Sequence, residues 1–246
     1  MTENLSAEEI AARIASFDQC YASVRERIAL AAQRAGRKES EINLLAATKT
    51  VPVEVINHAI KSGIKLVGEN KVQEFCDKYD MLDKSAERHH IGRLQTNKVK
   101  YIVGRVSMVE SVDSVHLAEE LSRRSLAAGT VTDALVEINI GNEQSKSGIR
   151  VDEAEEFISN ISQFEGIRVR GLMCIPPICE NDKKIREIFD KMYKVFIDIS
   201  SKKTDNTTME FLSMGMSGDF EQAIEAGANI IRLGSCLFGA RNYNKN

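Results

Sequence analysis

Residues 42–63, INLLAATKTVPVEVINHAIKSG, contain the pattern that decides the fold. The apolar run 42–49 predicts a buried β-strand. Segment 53–62 has apolar residues on one face and ends before Gly63, which predicts an amphipathic helix. A buried strand followed directly by a helix is the repeating unit of parallel α/β sheets.

The same alternation continues along the chain. Further strands are predicted at 66–70, 89–92, 107–112, 134–140, 169–175, 209–214 and 230–238. Helices are predicted between them, the last at 219–226, where Asp219 and Gln222 have capping-box spacing. Eight strands alternating with helices favour a single closed (β/α)8 barrel of the TIM type, a fold of about 250 residues. An open doubly wound sheet is the alternative, but no G-x-G-x-x-G follows the first strand.

A long amphipathic helix, residues 6–35, precedes the predicted barrel. Ser6 and Glu9 have capping-box spacing, and apolar residues then recur at steps of three and four. We expect this helix to pack against the barrel, which would occupy residues 42–241. Because no linker rich in Pro, Gly or Ser interrupts the chain, residues 1–246 are predicted to form one domain.

The composition argues against several classes of protein. The net charge is −3, with Lys and Arg spread along the chain, so no general attraction to nucleic acid or anionic membranes is expected. No segment approaches the ~20 apolar residues of a membrane span, and the N-terminus lacks a signal-peptide pattern. Isolated cysteines without C-x-x-C are typical of reduced core residues. They are Cys20, Cys76, Cys174, Cys179 and Cys236. We therefore expect a cytoplasmic protein.

Lys49 is the residue that points most directly to chemistry. It ends the first predicted strand, where partial burial would disfavour its ammonium form. An amine that deprotonates near neutral pH can condense with an aldehyde. The alternative is a lysine that extends from a strand end into solvent.

Two loops after the seventh and eighth strands have the composition of an anion site. The first is Ser213-Met214-Gly215-Met216-Ser217-Gly218, and the second contains Gly234-Ser235. Small residues let backbone N–H groups approach an anion, and hydroxyls can donate to it. TIM barrels commonly bind phosphate on these two loops. A plain capped turn is the alternative for each loop.

Arg232 lies between apolar residues in a strand that should be buried. Its guanidinium therefore requires an acidic partner or a ring nitrogen to contact, and an internal salt bridge is the ordinary explanation. Taken with Lys49 and the two loops, Arg232 favours a site for a phosphorylated carbonyl compound. Pyridoxal 5′-phosphate (PLP) is the first candidate, and a sugar phosphate is the second.

The chain resembles the pyridoxal phosphate homeostasis proteins, whose barrel is similar to that of alanine racemases. The matching stretches cover nearly the whole chain and follow the expected order. They are residues 47–50, 68–74, 89–98, 111–114, 145–148, 171–173, 213–217 and 232–241. The sequence departs from the family at Arg88 and His90, where Trp and Phe are frequent. These departures concern the packing of the third strand.

The resemblance implies roles for individual residues. Lys49 would form the internal aldimine with PLP, and Arg232 would contact the pyridine nitrogen. The implied phosphate contacts are Ser213, Gly215, Ser217, Gly234 and Ser235. Asn70 is implied as a polar contact beside the cofactor. Lys146 is implied as a second lysine that assists transfer or accessory binding, with a solvated loop lysine as the alternative. His89 is expected to be packed or hydrogen-bonded within its strand.

The function implied by the resemblance is PLP homeostasis, in which the protein carries or buffers PLP and supplies it to apo-enzymes. An arginine at the pyridine nitrogen keeps that nitrogen unprotonated and weakens the ring as an electron sink. We also expect neither a tyrosine base opposite Lys49 nor the C-terminal β domain of the racemases, and no catalytic or metal-binding residue. The alternatives are a PLP-dependent amino-acid racemase of low activity, a Schiff-base aldolase acting on a sugar phosphate, and a pure interaction protein.

Overall fold

A computed structural model of the chain describes residues 5–143, 146–177, 181–202 and 204–239. Parallel strands form a closed barrel in chain order, in which β8 pairs with β1. The strands are β1 (Asn43–Ala47), β2 (Leu66–Glu69), β3 (Glu87–His90), β4 (Met108–Val112), β5 (Thr132–Ile138), β6 (Ile167–Cys174), β7 (Thr207–Ser213) and β8 (Ile230–Leu233). The prediction of a TIM-type α/β barrel is confirmed.

Helices follow the strands, as the alternation in the sequence predicted. They are α1 (Ala7–Arg34), α2 (Val53–Lys61), α3 (Val72–Lys78), α4 (Val115–Ala127), α5 (Ala154–Ile161), α6 (Asp182–Ser200), α7 (Phe220–Glu225) and α8 (Ser235–Phe238). The connection between β3 and β4 contains a 3-10 helix, Thr96–Tyr101. Shorter 3-10 segments lie at Glu39–Glu41 and Val151–Glu153.

The N-terminal helix α1 packs against α2, α7 and α8. Its predicted capping box is present, because the Ser6 hydroxyl accepts from the Glu9 amide and the Glu9 carboxylate accepts from the Ser6 amide at 2.7 Å. Phe17 of α1 is fully buried and stacks on Phe238 of α8, with ring centroids 5.5 Å apart. The helix therefore covers the side of the barrel at which β1 and β8 meet.

Apolar side chains form two layers, one between the barrel and its helices and a smaller one inside the barrel. The inner layer consists of Leu45, Ile91, Met108, Leu135, Met173 and Ile230. Side chains alternate along a strand, so a residue two positions after an inner residue also faces inward. This places Glu110, Glu137 and Arg232 toward the carboxyl end of the barrel interior, and all three are buried. A polar layer therefore lies above the apolar one.

Most predicted strands and helices end within two residues of the observed ones, and two further predictions differ from the structure. The predicted strand 230–238 ends at Leu233, and Ser235–Phe238 form α8. A short apolar run does not by itself distinguish a strand from a buried helix, which explains the error. The second difference is at α7, where the Asp219 side chain makes no capping hydrogen bond to the helix and instead accepts from the Met216 amide at 2.6 Å.

The described residues provide no sign of a metal-stabilised or disulfide-linked structure. Cys20, Cys76, Cys174 and Cys236 are free, and Cys179 lies outside the described residues. Among the residues that are described, no group of three or more His, Cys, Asp or Glu side chains could hold a metal ion. No helix within the same ranges is long and apolar enough to cross a membrane.

Candidate functional site

Lys49 lies in the turn between β1 and α2, two residues beyond the end of β1 at Ala47. The amide of Thr48 donates to the carbonyl oxygen of Gly68 at 3.0 Å, so the chain stays paired with its neighbour as far as that residue. Lys49 itself is half-buried. The predicted strand 42–49 is thus too long by two residues at this end, but Lys49 does lie at the carboxyl end of the barrel, where TIM barrels carry their functional groups.

A second lysine, Lys78 at the end of α3, is 1% exposed and contacts the turn that carries Lys49. Its Nζ donates to the carbonyl oxygen of Thr48 at 2.8 Å and to the carboxylates of Glu69 at 2.8 Å and Glu74 at 2.7 Å. The Thr48 hydroxyl donates to the same Glu69 oxygen at 2.7 Å. Burial raises the pKa of Glu69, although Lys78 acts in the opposite direction.

The residue after Lys49 is held by the same group of side chains. The amide of Thr50 donates to the Glu74 carboxylate, the one that also pairs with Lys78. Thr50 has φ of +64°, a left-handed conformation that is strained for a β-branched residue. We call Lys78, Thr48, Glu69, Glu74 and Thr50 the Lys78 network. Sequence reasoning missed Lys78, because a lysine at the end of a helix is ordinarily solvated.

Arg232 is the end of a buried hydrogen-bonded chain inside the barrel. Its Nη1 donates to the Ser213 hydroxyl at 2.7 Å, and its Nη2 donates to the carbonyl oxygen of Cys174 at 2.8 Å. Ser213 in turn donates to Glu110 at 2.6 Å, and the other Glu110 oxygen lies 2.7 Å from His89 Nδ1. Burial acts to raise the pKa of Glu110, but His89, Arg232 and Ser213 together hold it below its ordinary value.

These hydrogen bonds bear on two residues that the sequence singled out. The Ser213 hydroxyl is fully buried and connects Arg232 with Glu110. Its contact with phosphate stays a prediction. His89 is hydrogen-bonded within its strand, as expected.

The loops after β7 and β8 come together at the start of α8. The Ser217 hydroxyl accepts from the amides of Gly234 and Cys236, each at 3.3 Å. Ser235 is exposed at the same helix start. Backbone amides that converge on one oxygen also suit a phosphate oxygen. We refer to Gly215, Ser217, Gly234 and Ser235 with their backbone amides as the phosphate cup.

Gly215 is required by the shape of the first of these loops. Its φ is +94°, and a Cβ at this position would lie 2.6 Å from the Cβ of Ala223. Its carbonyl oxygen accepts from the amide of Arg232 at 3.0 Å, which joins the loop to β8. Any side chain at residue 215 would therefore push the loop away from α7.

The closure of the barrel places Arg232 and the cup beside β1, the strand that leads to Lys49. In the pairing of β1 with β8, Leu45 lies opposite Arg232 and Ala46 opposite Leu233. A Cβ at Gly234 would lie 3.5 Å from the carbonyl oxygen of Ala47, so the cup contacts the end of the strand that leads to Lys49. Residues that are far apart in the sequence become neighbours through this one pairing.

Asn70 and Lys146 occupy other parts of the carboxyl end of the barrel. Asn70 is half-buried after β2 and lines a cavity of about 660 Å³ together with Arg93 and Asp113. Lys146 lies after β5, where its Nζ pairs with Glu143 at 2.6 Å and donates to the carbonyl oxygen of Pro176 at 3.3 Å.

Glu137 is a further buried acid that sequence reasoning did not identify. Burial raises its pKa to about 7, assisted by Asp113 and opposed by Arg232 and Arg93. Both Glu137 and Glu110 are single acids within apolar strands, and that isolation was the signal available in the sequence.

Comparison with known proteins places the chain in a family. Residues 19–242 match the family described as alanine racemase, N-terminal domain. The chain is 45% identical over 221 residues to the pyridoxal phosphate homeostasis protein of Aquifex aeolicus, an alignment that covers 89% of this chain and 96% of that one. It is 36% identical over 228 residues to the protein of the same name from Escherichia coli K12, with 91% and 96% covered.

Solved structures agree with the sequence comparison. A protein of unknown function from Bifidobacterium adolescentis is similar with a TM-score of 0.88 at 36% identity, covering 92% of this chain and 96% of that one. PipY of Synechococcus elongatus, solved with PLP bound, is similar with a TM-score of 0.73 at 28% identity, covering 88% and 100%. The chain belongs to the pyridoxal phosphate homeostasis protein family, whose barrel is that of the alanine racemase N-terminal domain.

Proposed function

We propose that the protein binds PLP as a Schiff base on Lys49 and acts in cytoplasmic vitamin B6 homeostasis as a carrier or buffer. The observation that carries the proposal is the pairing of β1 with β8, which joins a half-buried lysine, a buried arginine and a set of amide donors. The names of the relatives and the PLP bound to PipY support the same cofactor.

The side chains at this end of the barrel fit the functional groups of PLP. The amide of Gly234 in the cup and the adjoining amide of Cys236, which both donate to Ser217, could donate to a phosphate. Arg232 uses two of its donors within the protein, and a guanidinium has five, so donors are left for a ring nitrogen. Lys49 supplies the amine. We retain Asn70 as a polar neighbour and Ser235 as a phosphate donor.

Attachment requires no oxidant. The Lys49 amine would add to the aldehyde carbon, and its two N–H protons would pass to the aldehyde oxygen, which would leave as water, so that a C=N bond would replace the C=O bond. An incoming amine would reverse the attachment by taking the place of Lys49, whose amine would be released. Bound PLP would supply a reactive aldehyde in protected form, and Lys49 would control its release.

The environment of Arg232 favours a carrier over a PLP enzyme that depends on a protonated ring nitrogen. PLP enzymes that stabilise carbanions commonly keep the ring nitrogen protonated with a carboxylate. Here the group closest to that role is a guanidinium, which remains charged and cannot accept a proton. Glu110 is separated from Arg232 by the Ser213 hydroxyl. A PLP-dependent racemase of low activity is the alternative function.

The test compares transfer with turnover. The PLP-loaded protein is mixed with a PLP-dependent apo-enzyme, and recovery of the apo-enzyme's activity is timed. In parallel, the loaded protein is incubated with alanine, serine and other amino acids, which are then analysed for chirality. We expect transfer without racemisation or transamination at a useful rate. Turnover of one amino acid at several per second would establish an enzyme.

Lys146 is proposed as an accessory lysine in transfer. Its ammonium is paired with Glu143, so it would have to leave this ion pair to receive PLP. The Lys146→Ala variant should therefore retain covalent PLP and release it more slowly to an apo-enzyme. An unchanged transfer rate would leave Lys146 as an ordinary loop lysine.

A further inference from the structure

We propose that Lys78 is a positioning residue for Lys49: through the Lys78 network, its ammonium fixes the turn from which Lys49 reaches the aldehyde. This inference rests on the proposed function, because it assigns to Lys78 a task that exists only if Lys49 bonds covalently to a ligand. Lys78 is not a catalytic residue, since it acts through the backbone on either side of Lys49.

The contacts of Lys78 account for every donor of its ammonium. Nζ donates to Thr48, Glu69 and Glu74 at 2.7–2.8 Å, and the side chain is 2% exposed. A lysine ammonium has three N–H donors, so none is left for a ligand. Lys78 therefore cannot serve as an alternative amine for PLP while this arrangement persists.

These contacts reach both neighbours of Lys49. On one side the Lys78 ammonium binds the carbonyl oxygen of Thr48. On the other side the Glu74 carboxylate, paired with Lys78 at 2.7 Å, accepts from the amide of Thr50. The ion pair of Lys78 with Glu74 thus fixes the chain immediately before and after the reactive lysine.

Thr50 has a strained backbone conformation, so we expect the turn to adopt a different conformation when the contacts that hold it are removed. A β-branched residue at φ of +64° is costly and persists only where surrounding contacts enforce it. The bond from the Thr50 amide to Glu74 is such a contact. Without it, Thr50 would relax to negative φ and the Cα of Lys49 would be reoriented.

The competing explanation is that Lys78 only stabilises the fold. The contacts of α3 distinguish this explanation from the positioning role. The helix is anchored to the core by its apolar side chains Val72 and Phe75, which are both buried. The Lys78 network instead engages the backbone of the turn after β1. Disturbing the network should therefore affect the geometry of Lys49 more than the packing of α3.

The expected consequence is selective loss of the covalent step. The rate of a reaction between two bound groups depends strongly on their relative position. A displacement of one reacting group by about 1 Å can reduce the rate roughly 100-fold. The phosphate cup lies on β7 and β8 loops and does not involve α3. Binding of a PLP analogue that cannot condense should thus be preserved when the Lys78 network is broken.

The experiment uses the full chain and two ligands. PLP reports the covalent step through the growth of absorbance near ~420 nm after mixing. Pyridoxine 5′-phosphate, which has an alcohol in place of the aldehyde, reports non-covalent binding by calorimetry. The variants are Lys78→Met, Glu74→Ala and Glu74→Gln. Ile158→Ala on α5, at a fully buried position outside the site, is the control for loss of stability alone.

We expect Lys78→Met and Glu74→Ala to slow the covalent step by roughly 10- to 100-fold, with affinity for pyridoxine 5′-phosphate within about twofold of wild type. Glu74→Gln should lose less than Glu74→Ala, because an amide oxygen can still accept both hydrogen bonds. Ile158→Ala should lower the unfolding temperature and leave the covalent rate unchanged.

Unchanged covalent rates in Lys78→Met and Glu74→Ala would overturn the positioning role, and so would equal losses for both ligands. If Lys78→Met does not fold, the two variants Glu74→Ala and Glu74→Gln test the positioning role by themselves. They are expected to fold because the Glu74 side chain is partly exposed. A wild-type protein that binds pyridoxine 5′-phosphate but never bonds PLP covalently would instead overturn the proposed function.

Discussion

The two ends of the proposed site are constructed differently. At the Lys49 end, a buried ammonium and two carboxylates hold the adjoining backbone, and the hydrogen bonds of Lys78 measure 2.7–2.8 Å. At the phosphate end, the amides of Gly234 and Cys236 meet one neutral oxygen, that of Ser217, at 3.3 Å. The first end consists of charged groups in short hydrogen bonds, and the second consists of neutral donors in long bonds.

This difference indicates which end is fixed before a ligand arrives. Buried charges must be neutralised within the protein, so the Lys78 network is expected to persist whether or not the site is filled. Amides that donate weakly to a hydroxyl can exchange that partner for a phosphate oxygen, which gives a stronger, charge-assisted bond. The covalent end is thus preorganised, and the phosphate end is completed by the ligand.

The largest expected effect removes the covalent end altogether. Lys49→Ala should abolish covalent attachment of PLP and the absorbance band near ~420 nm, while the fold remains intact. Lys65→Ala, at an exposed position, is the matched control and should retain the band. Covalent attachment that persists in Lys49→Ala would show that another lysine holds the cofactor.

The next effect concerns the phosphate end. The protein should bind PLP more tightly than unphosphorylated pyridoxal by several kcal/mol, since each charge-assisted bond contributes on the order of 1.5–3 kcal/mol. Ser217→Ala tests whether the Ser217 hydroxyl contributes to phosphate binding or only accepts the amide hydrogen bonds in the absence of a phosphate. Spectral titration of wild type with both vitamers is the measurement. Equal affinities would remove the phosphate cup from the proposal.

A third effect arises at the carboxyl end of β3, outside both ends of the site. Burial lowers the pKa of His90 from its ordinary value of 6.5 to about 4. Between these two pH values the unfolded state therefore binds more protons than the folded state. The stability due to neutral His90 is present above pH 6.5 and is lost as pH falls toward 4, by up to about 3 kcal/mol.

The test at this position is His90→Phe. The variant should lose less stability than wild type between pH 6.5 and 4 in denaturant titrations. His116→Phe, at an exposed position, serves as the control. Identical pH dependence in His90→Phe and wild type would show that His90 is solvated in the folded protein.

The last effect is of similar size, has the opposite sign and comes from Glu137. Burial raises its pKa to about 7 from 4.5, so the folded state binds more protons than the unfolded state in that interval. Its contribution to stability is present below pH 4.5 and is lost as pH rises through 7, by up to about 3 kcal/mol. Glu137→Gln should remove this decline. A decline of equal size in the variant would assign the effect to another group.

Much of the fold followed from the sequence, because strand and helix periodicities are local properties. The alternation beginning at residues 42–63 was sufficient to predict the barrel. The carboxyl ends of its strands then indicated where Lys49, Ser217 and Gly234 would lie. The exception was α8, whose short apolar run is compatible with either strand or helix.

The parts that could not be predicted depend on which side chain faces which. Lys78 is separated from Thr48 by 30 residues, and the packing of α3 against β2, the neighbour of β1, brings them into contact. The Ser213 hydroxyl accepts from Arg232 and donates to Glu110 inside the barrel. Neither orientation follows from composition or spacing, because both result from satisfying buried charges in three dimensions.

The most direct test of the central claim is to locate the covalent bond in the unmodified protein. The wild-type chain is loaded with PLP, reduced with borohydride, digested and mapped by mass spectrometry. The proposal predicts a pyridoxyl group on the peptide that contains Lys49. A pyridoxyl group on Lys146, on Lys78 or on any other lysine in place of Lys49 would contradict it.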